Sequence, residues 1–164
     1  MALIQITDLT FTYPGSFDPV FEHVSFQLDT DWRLGLTGRN GRGKTTLLRL
    51  LQGQYPHQGT ITAPGGYENF TNTIQAEAIT PLELLECSFP DVPQWRLRRE
   101  LAPLFVTDDA LYRPFSTLSG GEQAKILLAL LFAREGRYLL IDEPTNHLDE
   151  TGRALVSRYL AKKS

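Results

Sequence analysis

The sequence has almost no cysteine and no long hydrophobic run. A single cysteine, Cys87, excludes an internal disulfide framework and fits a reducing cytosol. No window approaches the roughly 18 uninterrupted apolar residues that a membrane-spanning helix needs. The first residues, 1–5, lack the basic segment and apolar run of a secretion signal. We therefore expect a cytoplasmic protein with no direct insertion into a membrane.

An excess of positive charge is also absent. The chain has 16 Lys and Arg residues against 19 Asp and Glu residues, for a net charge of −3. This balance argues against binding nucleic acid through overall basic charge, although not against a local basic patch. The 164 residues, of which 41% are hydrophobic, match one folded domain of the usual size, roughly 100–200 residues.

Hydrophobic periodicity predicts a mixed α/β domain. Alternating or continuous apolar residues predict strands at 4–13, 24–28, 32–36, 59–63 and 138–141, the last of them buried on both faces of a parallel sheet. Helical spacing and start signals predict helices at 47–53, from Thr80 onward, at 95–105, at 119–133 and at 155–164. Thr80 and Glu83 have the spacing of a capping box, and we expect the helix at 95–105 to be strained or to end near Pro103. Residues 64–66 predict a turn. Strands alternating with helices favour an α/β fold.

One glycine-rich motif lies between a predicted strand and a predicted helix. The segment Gly38-Arg39-Asn40-Gly41-Arg42-Gly43-Lys44-Thr45 matches G-x-x-x-x-G-K-[ST]. Glycines let several backbone N–H groups point at one anion, and the following helix directs its positive end to the same place. Lys44 can then bridge two phosphates, and Thr45 can coordinate Mg²⁺. The alternative is an ordinary glycine-rich turn that happens to contain a lysine.

Two carboxylates follow the predicted buried strand 138–141. Asp142 stands at the carboxyl end of that strand, where ligands bind in open α/β sheets, and can hold Mg²⁺ directly or through water. Glu143 comes next and can polarise an attacking water. The alternative is a loop that begins with two solvated acids.

A third motif, Leu118-Ser119-Gly120-Gly121-Glu122-Gln123, opens the predicted helix 119–133. Ser119 and Glu122 have the spacing of a capping box. Two glycines in a first turn reduce helix stability by about 1 kcal/mol each. They make sense where another molecule must approach that backbone closely.

In this order, the three motifs resemble those of the ATP-binding cassette (ABC) ATPases over most of the chain. The resemblance implies an α/β P-loop NTPase fold, an ABC-type nucleotide-binding domain with an N-terminal antiparallel β subdomain and a small helical insert at about 80–117. It implies ATP and Mg²⁺ as ligands. It also implies a head-to-tail partner, a second cassette that completes each ATP site.

The resemblance assigns a role to each candidate residue. Tyr13 would stack on adenine, Glu143 would be catalytic, and the metal would bind Thr45, Gln75 and Asp142. The other ATP-binding residues would be Gly38, Arg39, Asn40, Gly41, Arg42, Gly43, Lys44, Thr45 and Thr46. The contact with the partner cassette's ATP would come from Ser119, Gly120 and Gly121.

The segment Glu143-Pro144-Thr145-Asn146-His147-Leu148-Asp149 looks like that of the ABC-F class. Members of this class are tandem cassettes without membrane domains that act on the ribosome, as translation factors or in antibiotic resistance by ribosome protection. For the basic cluster 96–99, the simpler interpretation is a solvated helix face, and the alternative is a contact with ribosomal RNA.

Few residues follow Glu143, and the family's histidine that touches the γ-phosphate would come later. We therefore expect residues 1–164 to form a single, C-terminally incomplete ABC domain, the first cassette of a longer protein. Two other functions stay open. One is the ATPase subunit of an ABC transporter, and the other is a module that binds nucleotide without turnover.

Overall fold

A computed structural model describes residues 3–32, 34–63, 67–70, 78–134, 138–146 and 148–163, and for 67–70 the backbone alone. The chain divides into two compact units, Met1–Tyr67 and Glu68–Lys163. The turn predicted at 64–66, the candidate metal ligand Gln75 and the class-marking His147 lie outside the described residues. Among the residues that are described, no helix is both long and apolar enough to span a bilayer.

Unit 1 is built on a three-stranded antiparallel sheet. Its strands are β1 (Leu3–Phe11), β2 (Phe21–Asp29) and β3 (Gln58–Thr62), in the order β2-β1-β3. The sequence predicted all three. The apolar alternation of β1 slips by one position between Ile6 and Leu9, and the pairing with β2 shifts register at the same place. A bulge there keeps both residues buried on one face.

Helix α1 (Lys44–Leu51) completes unit 1. It buries Leu47, Leu50 and Leu51, as its helical spacing predicted. The chain leaves the helix at Gly53, whose φ of 68° is in the left-handed region where glycine alone is unstrained. The predicted stop at Gly53 is therefore confirmed.

The strand predicted at 32–36 is wrong for the residues that the structure describes. Positions 34–36 have no strand conformation, and the side chains of Trp32, Leu34 and Leu36 are 60%, 57% and 51% exposed. A strand needs a neighbour that accepts and donates its ladder hydrogen bonds. Among the described strands, none pairs with this segment. An alternating pattern does not show whether a strand elsewhere in the chain is available for pairing.

The described residues of unit 2 form a small sheet and four α-helices. The strands β4 (Tyr67–Phe70) and β5 (Tyr138–Ile141) pair with each other, and the sequence predicted only the second. All four residues of β5 are half-buried, so the predicted burial on both faces is wrong. Leu139 and Ile141 pack against the core of the unit without being fully buried. The helices are α2 (Pro81–Ser88), α3 (Gln94–Leu101), α4 (Gly120–Ala133) and α5 (Glu150–Ala161).

The apolar core of unit 2 centres on α4. Ile126, Leu128 and Leu130 of this helix are at most 1% exposed. Leu97 of α3 and Val156 of α5 belong to the same cluster and are 0% exposed. Helix α4 is apolar on nearly all sides, as expected of a helix that is buried among the other helices of its unit.

Helix α3 is shorter than its predicted range of 95–105. The α-helix ends at Leu101, and a 3-10 turn follows at Ala102–Leu104. Pro103 lies in that turn and has no N–H to continue the α-helical bonds. Phe105 then takes a left-handed φ of 52° and its side chain is 80% exposed. The predicted break near Pro103 is confirmed, and the α-helix ends two residues before this proline.

A buried carboxylate joins α3 to α5 inside unit 2. Glu100 is 4% exposed and accepts hydrogen bonds from Tyr159 Oη at 2.6 Å and from Lys163 Nζ. Burial alone would raise the pKa of Glu100, but these two donors outweigh it and leave the pKa below its usual value. Burial, and then the contact with Glu100, raises the pKa of Tyr159. The carboxylate is thus ionised and paired.

Side-chain caps fix the starts of α2 and α5 in unit 2. Thr80 Oγ1 accepts from Glu83 N at 3.2 Å, and Glu83 Oε2 accepts from Thr80 N at 2.7 Å, which is the capping box predicted for α2. The bond from the Thr80 N–H lowers the pKa of Glu83. Asp149 caps α5 by accepting from Gly152 N at 2.8 Å.

We expect Thr80→Ala to lower the free energy of unfolding by about 1 kcal/mol, because it removes the side-chain acceptor of the α2 cap. Urea denaturation followed by far-UV circular dichroism measures this loss. Thr107→Ala is the matched control, since Thr107 also precedes a helical turn but makes no side-chain cap bond. Equal effects of the two substitutions would show that the cap contributes nothing specific.

Candidate functional site

The glycine loop, residues 38–43, has an unusual backbone. Gly38, Gly41 and Gly43 have φ angles of 156°, 78° and 84°. Residues with a Cβ rarely adopt these angles, so the three predicted glycines are needed for the path of the chain. Gly43 is also the N-cap of α1, and its carbonyl accepts from Leu47 N at 2.8 Å. The loop therefore ends where the helix begins.

The glycines differ in what surrounds them. A Cβ added at Gly43 would lie 2.8 Å from Val20 Cγ1 and 3.0 Å from Phe21 Cζ, at the start of β2. Additions at Gly38 or Gly41 would meet nothing within 4 Å. The end of the loop is thus packed against the sheet of unit 1, and its first part is open.

Lys44 is the first residue of α1 and turns its side chain back onto the loop. Its Nζ donates to Gly38 O at 2.8 Å and to Arg39 O at 3.0 Å. The positive end of the α1 dipole is at the same place. The ammonium group and the helix N-terminus therefore converge on the glycine loop, which is the arrangement that binds phosphate.

The candidate base platform is tied to the same helix. Tyr13 Oη and Thr46 Oγ1 lie 2.8 Å apart, and either hydroxyl can be the donor. Thr46 is buried, Tyr13 is half-buried and Thr45 is exposed. The remaining predicted phosphate-loop residues, Arg39, Asn40 and Arg42, are exposed. Unit 1 therefore brings Tyr13, Lys44, Thr46 and the glycine loop together.

The residues of unit 1 fit a polyphosphate. Their donors include backbone amides, the ammonium group of Lys44 and hydroxyls, and the loop has room at Gly38 and Gly41. For Mg²⁺, the exposed Thr45 hydroxyl is a suitable oxygen ligand. Of the other predicted metal ligands, Gln75 lies outside the described residues and Asp142 belongs to unit 2. Within the described parts of the chain, no three His, Cys, Asp or Glu residues cluster as a metal site.

In unit 2, Ser119 is engaged at the start of α4. Its Oγ accepts from Glu122 N at 3.2 Å and donates to Glu122 Oε2 at 2.8 Å, and Ser119 N donates to the same carboxylate at 2.8 Å. These bonds, first that of the Ser119 N–H, lower the pKa of Glu122. The predicted capping box is confirmed.

Gly121 has a neighbour within the chain. A Cβ there would lie 3.3 Å from Leu148 Cδ2, so a larger residue would press on the turn before α5. Gly120 is the exposed first residue of α4. Gln123, for which the sequence predicted no role, holds the preceding turn by donating to Phe115 O at 2.7 Å. No local spacing rule signalled that contact.

Glu143 follows β5 in a strained conformation. Its φ is 45°, a region in which a residue with a side chain costs roughly 1–3 kcal/mol, and such strain is concentrated at functional sites. Its Oε2 accepts from Asn146 Nδ2, and its carbonyl accepts from Asn146 N at 3.1 Å. Asp142 is half-buried beside it. The contact with Asn146 was not predicted, although a spacing of three residues within a turn indicates it.

The candidate residues are divided between the two units. Tyr13 and residues 38–46 belong to Met1–Tyr67, whereas Ser119, Asp142 and Glu143 belong to Glu68–Lys163. The α/β fold, the glycine loop that ends at a helix with Lys44, and the acidic pair after a strand together define a P-loop ATPase domain.

Comparison with known proteins identifies the family to which this ATPase domain belongs. Residues 21–146 match the family described as "ABC transporter", which is most of the chain. This chain belongs to the ABC family, as its three motifs predicted. The predicted fold class, with an antiparallel sheet at the N-terminus, is likewise confirmed.

Two curated relatives are members of the F class. The chain is 32% identical to "ABC transporter F family member 3" of Arabidopsis thaliana over 90% of its own length, and 31% identical to "ATP-binding cassette sub-family F member 3" of Mus musculus over 93%. It spans only 21% and 22% of these two proteins. The predicted resemblance to the ABC-F class is confirmed.

Among solved structures, the fold is similar to that of an ABC transporter ATP-binding protein from Pyrococcus furiosus. The TM-score is 0.81 at 22% sequence identity, with 96% of this chain and 84% of that chain covered. At this level of identity the likeness concerns the fold.

We expect Gly43→Ala to destabilise the chain more than Gly41→Ala. Both substitutions place a Cβ at a left-handed φ, at about 1 kcal/mol each. At Gly43 the contact with Val20 adds roughly 1–3 kcal/mol of overpacking, whereas Gly41 faces open space. Urea denaturation of the two variants measures the difference. Equal losses would mean that the loop end is not packed against β2.

Proposed function

We propose that this cassette binds and hydrolyses MgATP, and that the complete gene product acts on the ribosome in the cytoplasm. The observation that supports the binding step best is the position of Lys44, whose ammonium group lies on the glycine loop at the N-terminus of α1. An ammonium group and a helix dipole at one place favour a highly charged anion such as a triphosphate. The F-class relatives support the wider role.

Binding follows from charge. The loop amides, with those of residues 44–46, would donate to the β- and γ-phosphates, and Lys44 would exchange its carbonyl partners for phosphate oxygens. Tyr13 would stack on the adenine ring. Mg²⁺ would be held by Thr45, Asp142 and Gln75, and it would neutralise charge on the phosphates. Charged hydrogen bonds are about twice as strong as neutral ones, which favours the exchange.

Hydrolysis would need a second cassette. Ser119, Gly120 and Gly121 of one cassette would approach the γ-phosphate held by the other. Glu143 would accept a proton from water while the water oxygen bonds to the γ-phosphorus and the bond to the ADP oxygen breaks. The donor Asn146 keeps the Glu143 carboxylate in one orientation. Closure on ATP and reopening after hydrolysis would provide the movement that acts on the partner.

A basic and aromatic surface on α3 favours the ribosome as that partner. Trp95 is 58% exposed, and the guanidinium groups of Arg96 and Arg99 each lie 5.5 Å from the centre of its ring. Guanidinium groups bind RNA phosphates, and an exposed ring can stack on an unpaired base. Arg98 donates to Asp108 Oδ1 at 2.8 Å, and Arg99 donates to Glu100 Oε1 at 3.4 Å. The role would be in translation or in antibiotic resistance by ribosome protection.

We expect MgATP to stabilise the chain, by about 2.7 kcal/mol at a hundredfold excess over Kd. Lys44→Ala should abolish most of this gain, because it removes the ammonium group that lies on the loop carbonyls. A thermal-shift titration measures both proteins. Lys162→Ala, which removes an equal charge from an exposed position after α5, is the control. An equal shift with wild type and Lys44→Ala would contradict the phosphate contact.

We expect Glu143→Gln to retain ATP affinity and to slow hydrolysis by roughly 10²–10⁴-fold, because an amide cannot accept the proton of the attacking water. Phosphate release by the complete gene product measures the rate. Glu150→Gln, at the exposed start of α5, is the control and should hydrolyse ATP normally. Normal turnover by Glu143→Gln would exclude Glu143 as the base.

Glu143→Gln also tests whether the ribosome is the partner. Glu143→Gln should sediment with ribosomes in ATP more strongly than in ADP, since the closed form persists. Recovery with membranes instead would favour an ABC transporter subunit. No nucleotide-dependent recovery with ribosomes would contradict the proposed role in translation or resistance.

A further inference from the structure

Three aromatic rings meet beside α1 in unit 1. The ring centres of Phe11 and Tyr13 are 4.9 Å apart, those of Tyr13 and Tyr55 are 5.6 Å apart, and those of Phe11 and Tyr55 are 5.4 Å apart. All three distances lie in the range of favourable ring contacts, which is about 4.5–7 Å. We name these three residues the aromatic clasp.

The geometry of the clasp restrains one ring in particular. Phe11 and Tyr55 are stacked at 25°, and each of them meets Tyr13 at 79°. Phe11 is 4% exposed and anchored at the end of β1, so it cannot turn freely. Because Tyr55 stacks on Phe11 and also contacts Tyr13, each of the three rings contacts the other two. Tyr13 is thereby held by two rings nearly perpendicular to it.

Helix α1 holds both tyrosines by their hydroxyl groups. Tyr13 Oη is 2.8 Å from Thr46 Oγ1, and Arg49 Nη1 donates to Tyr55 Oη at 2.9 Å. Thr46 and Arg49 lie one turn apart on the same face of the helix. The aromatic clasp is therefore fixed by two hydrogen bonds to α1, the helix whose first residue is Lys44.

The chain reaches this arrangement through the end of α1. Gly53 takes a φ of 68°, and Gln54 N donates to Arg49 O at 3.0 Å. These two features turn the chain back immediately after the helix, which places Tyr55 beside Arg49. Tyr55 thus arrives at Phe11 and Tyr13 from the opposite end of the same helix.

We propose that Tyr55 is a positioning residue for the recognition of a purine base, because it fixes Tyr13 at a set distance from the glycine loop. This rests on the proposed function, in which Tyr13 stacks on the base. Tyr55 itself does not touch the base. Its effect is confined to the part of the binding free energy that depends on the base, since the phosphates bind to the loop and to Lys44.

The experiment compares two ligands, MgATP and inorganic tripolyphosphate with Mg²⁺, by isothermal titration of the full chain. Loss of the ring contacts in Tyr55→Leu should weaken ATP about 3- to 10-fold, as expected for an aromatic pair. Tripolyphosphate, which has no base, should bind within about twofold of wild type. Lys44→Ala should weaken both ligands.

Tyr112→Leu is the matched control. Tyr112 is likewise a tyrosine whose hydroxyl accepts from an arginine, Arg98 Nη2 at 2.9 Å, but it lies in unit 2 and outside the clasp. It should leave both affinities unchanged. If Tyr55→Leu fails to fold, Tyr55→Phe keeps the ring and removes only the Arg49 contact. That variant should weaken ATP about twofold to threefold, again without effect on tripolyphosphate.

Each other outcome overturns the proposal in a distinguishable way. Wild-type ATP affinity in Tyr55→Leu would remove Tyr55 from base recognition and leave the proposed function intact. Equal weakening of ATP and tripolyphosphate would show that Tyr55 merely supports the fold of unit 1. Failure of the wild-type chain to bind either ligand would overturn the proposed function, and the role of Tyr55 with it.

Discussion

The left-handed backbone at Gly43 is the constraint on which the candidate site of unit 1 depends. Its φ of 84° ends the glycine loop and starts α1 at the next residue. Val20 presses on the position where a Cβ would be, so the chain has one path there. Because the helix starts at a fixed residue, Lys44 points back to the loop and Thr46 points to Tyr13. One backbone angle thus orients both the phosphate-binding and the base-binding candidates.

How much of the fold could be predicted depended on the range of the interactions. The caps of α2 and α4 were predicted because Thr80 and Ser119 each bond to a residue three positions away. The segment 32–36 was predicted wrongly, because its alternation is local but a strand requires a partner elsewhere in the chain. The half-burial of β5 has a similar cause, because the apolar composition of a strand does not show what packs on each of its faces.

In the candidate site, too, the local interactions were predicted and the long-range ones were not. The glycine loop and Lys44 were predicted because one short motif contains the whole phosphate-binding geometry. The bond between Tyr13 and Thr46 joins residues 33 positions apart, so no periodicity indicates it. Tyr55 was missed for this reason too, since only the turn after α1 returns it to β1.

The contacts of Lys44 and Tyr13 bear on how a nucleotide would bind. A free lysine or tyrosine side chain loses rotamer freedom when a ligand orders it, up to about 2 kcal/mol for lysine. Here Lys44 is already held by two loop carbonyls and Tyr13 by Thr46 and two rings. That ordering is supplied by folding, so it does not oppose binding. The carbonyls are neutral acceptors, so the charged oxygens of a phosphate would displace them favourably. In the proposed function, the fold of unit 1 would therefore prepare both ends of the candidate site before the nucleotide arrives.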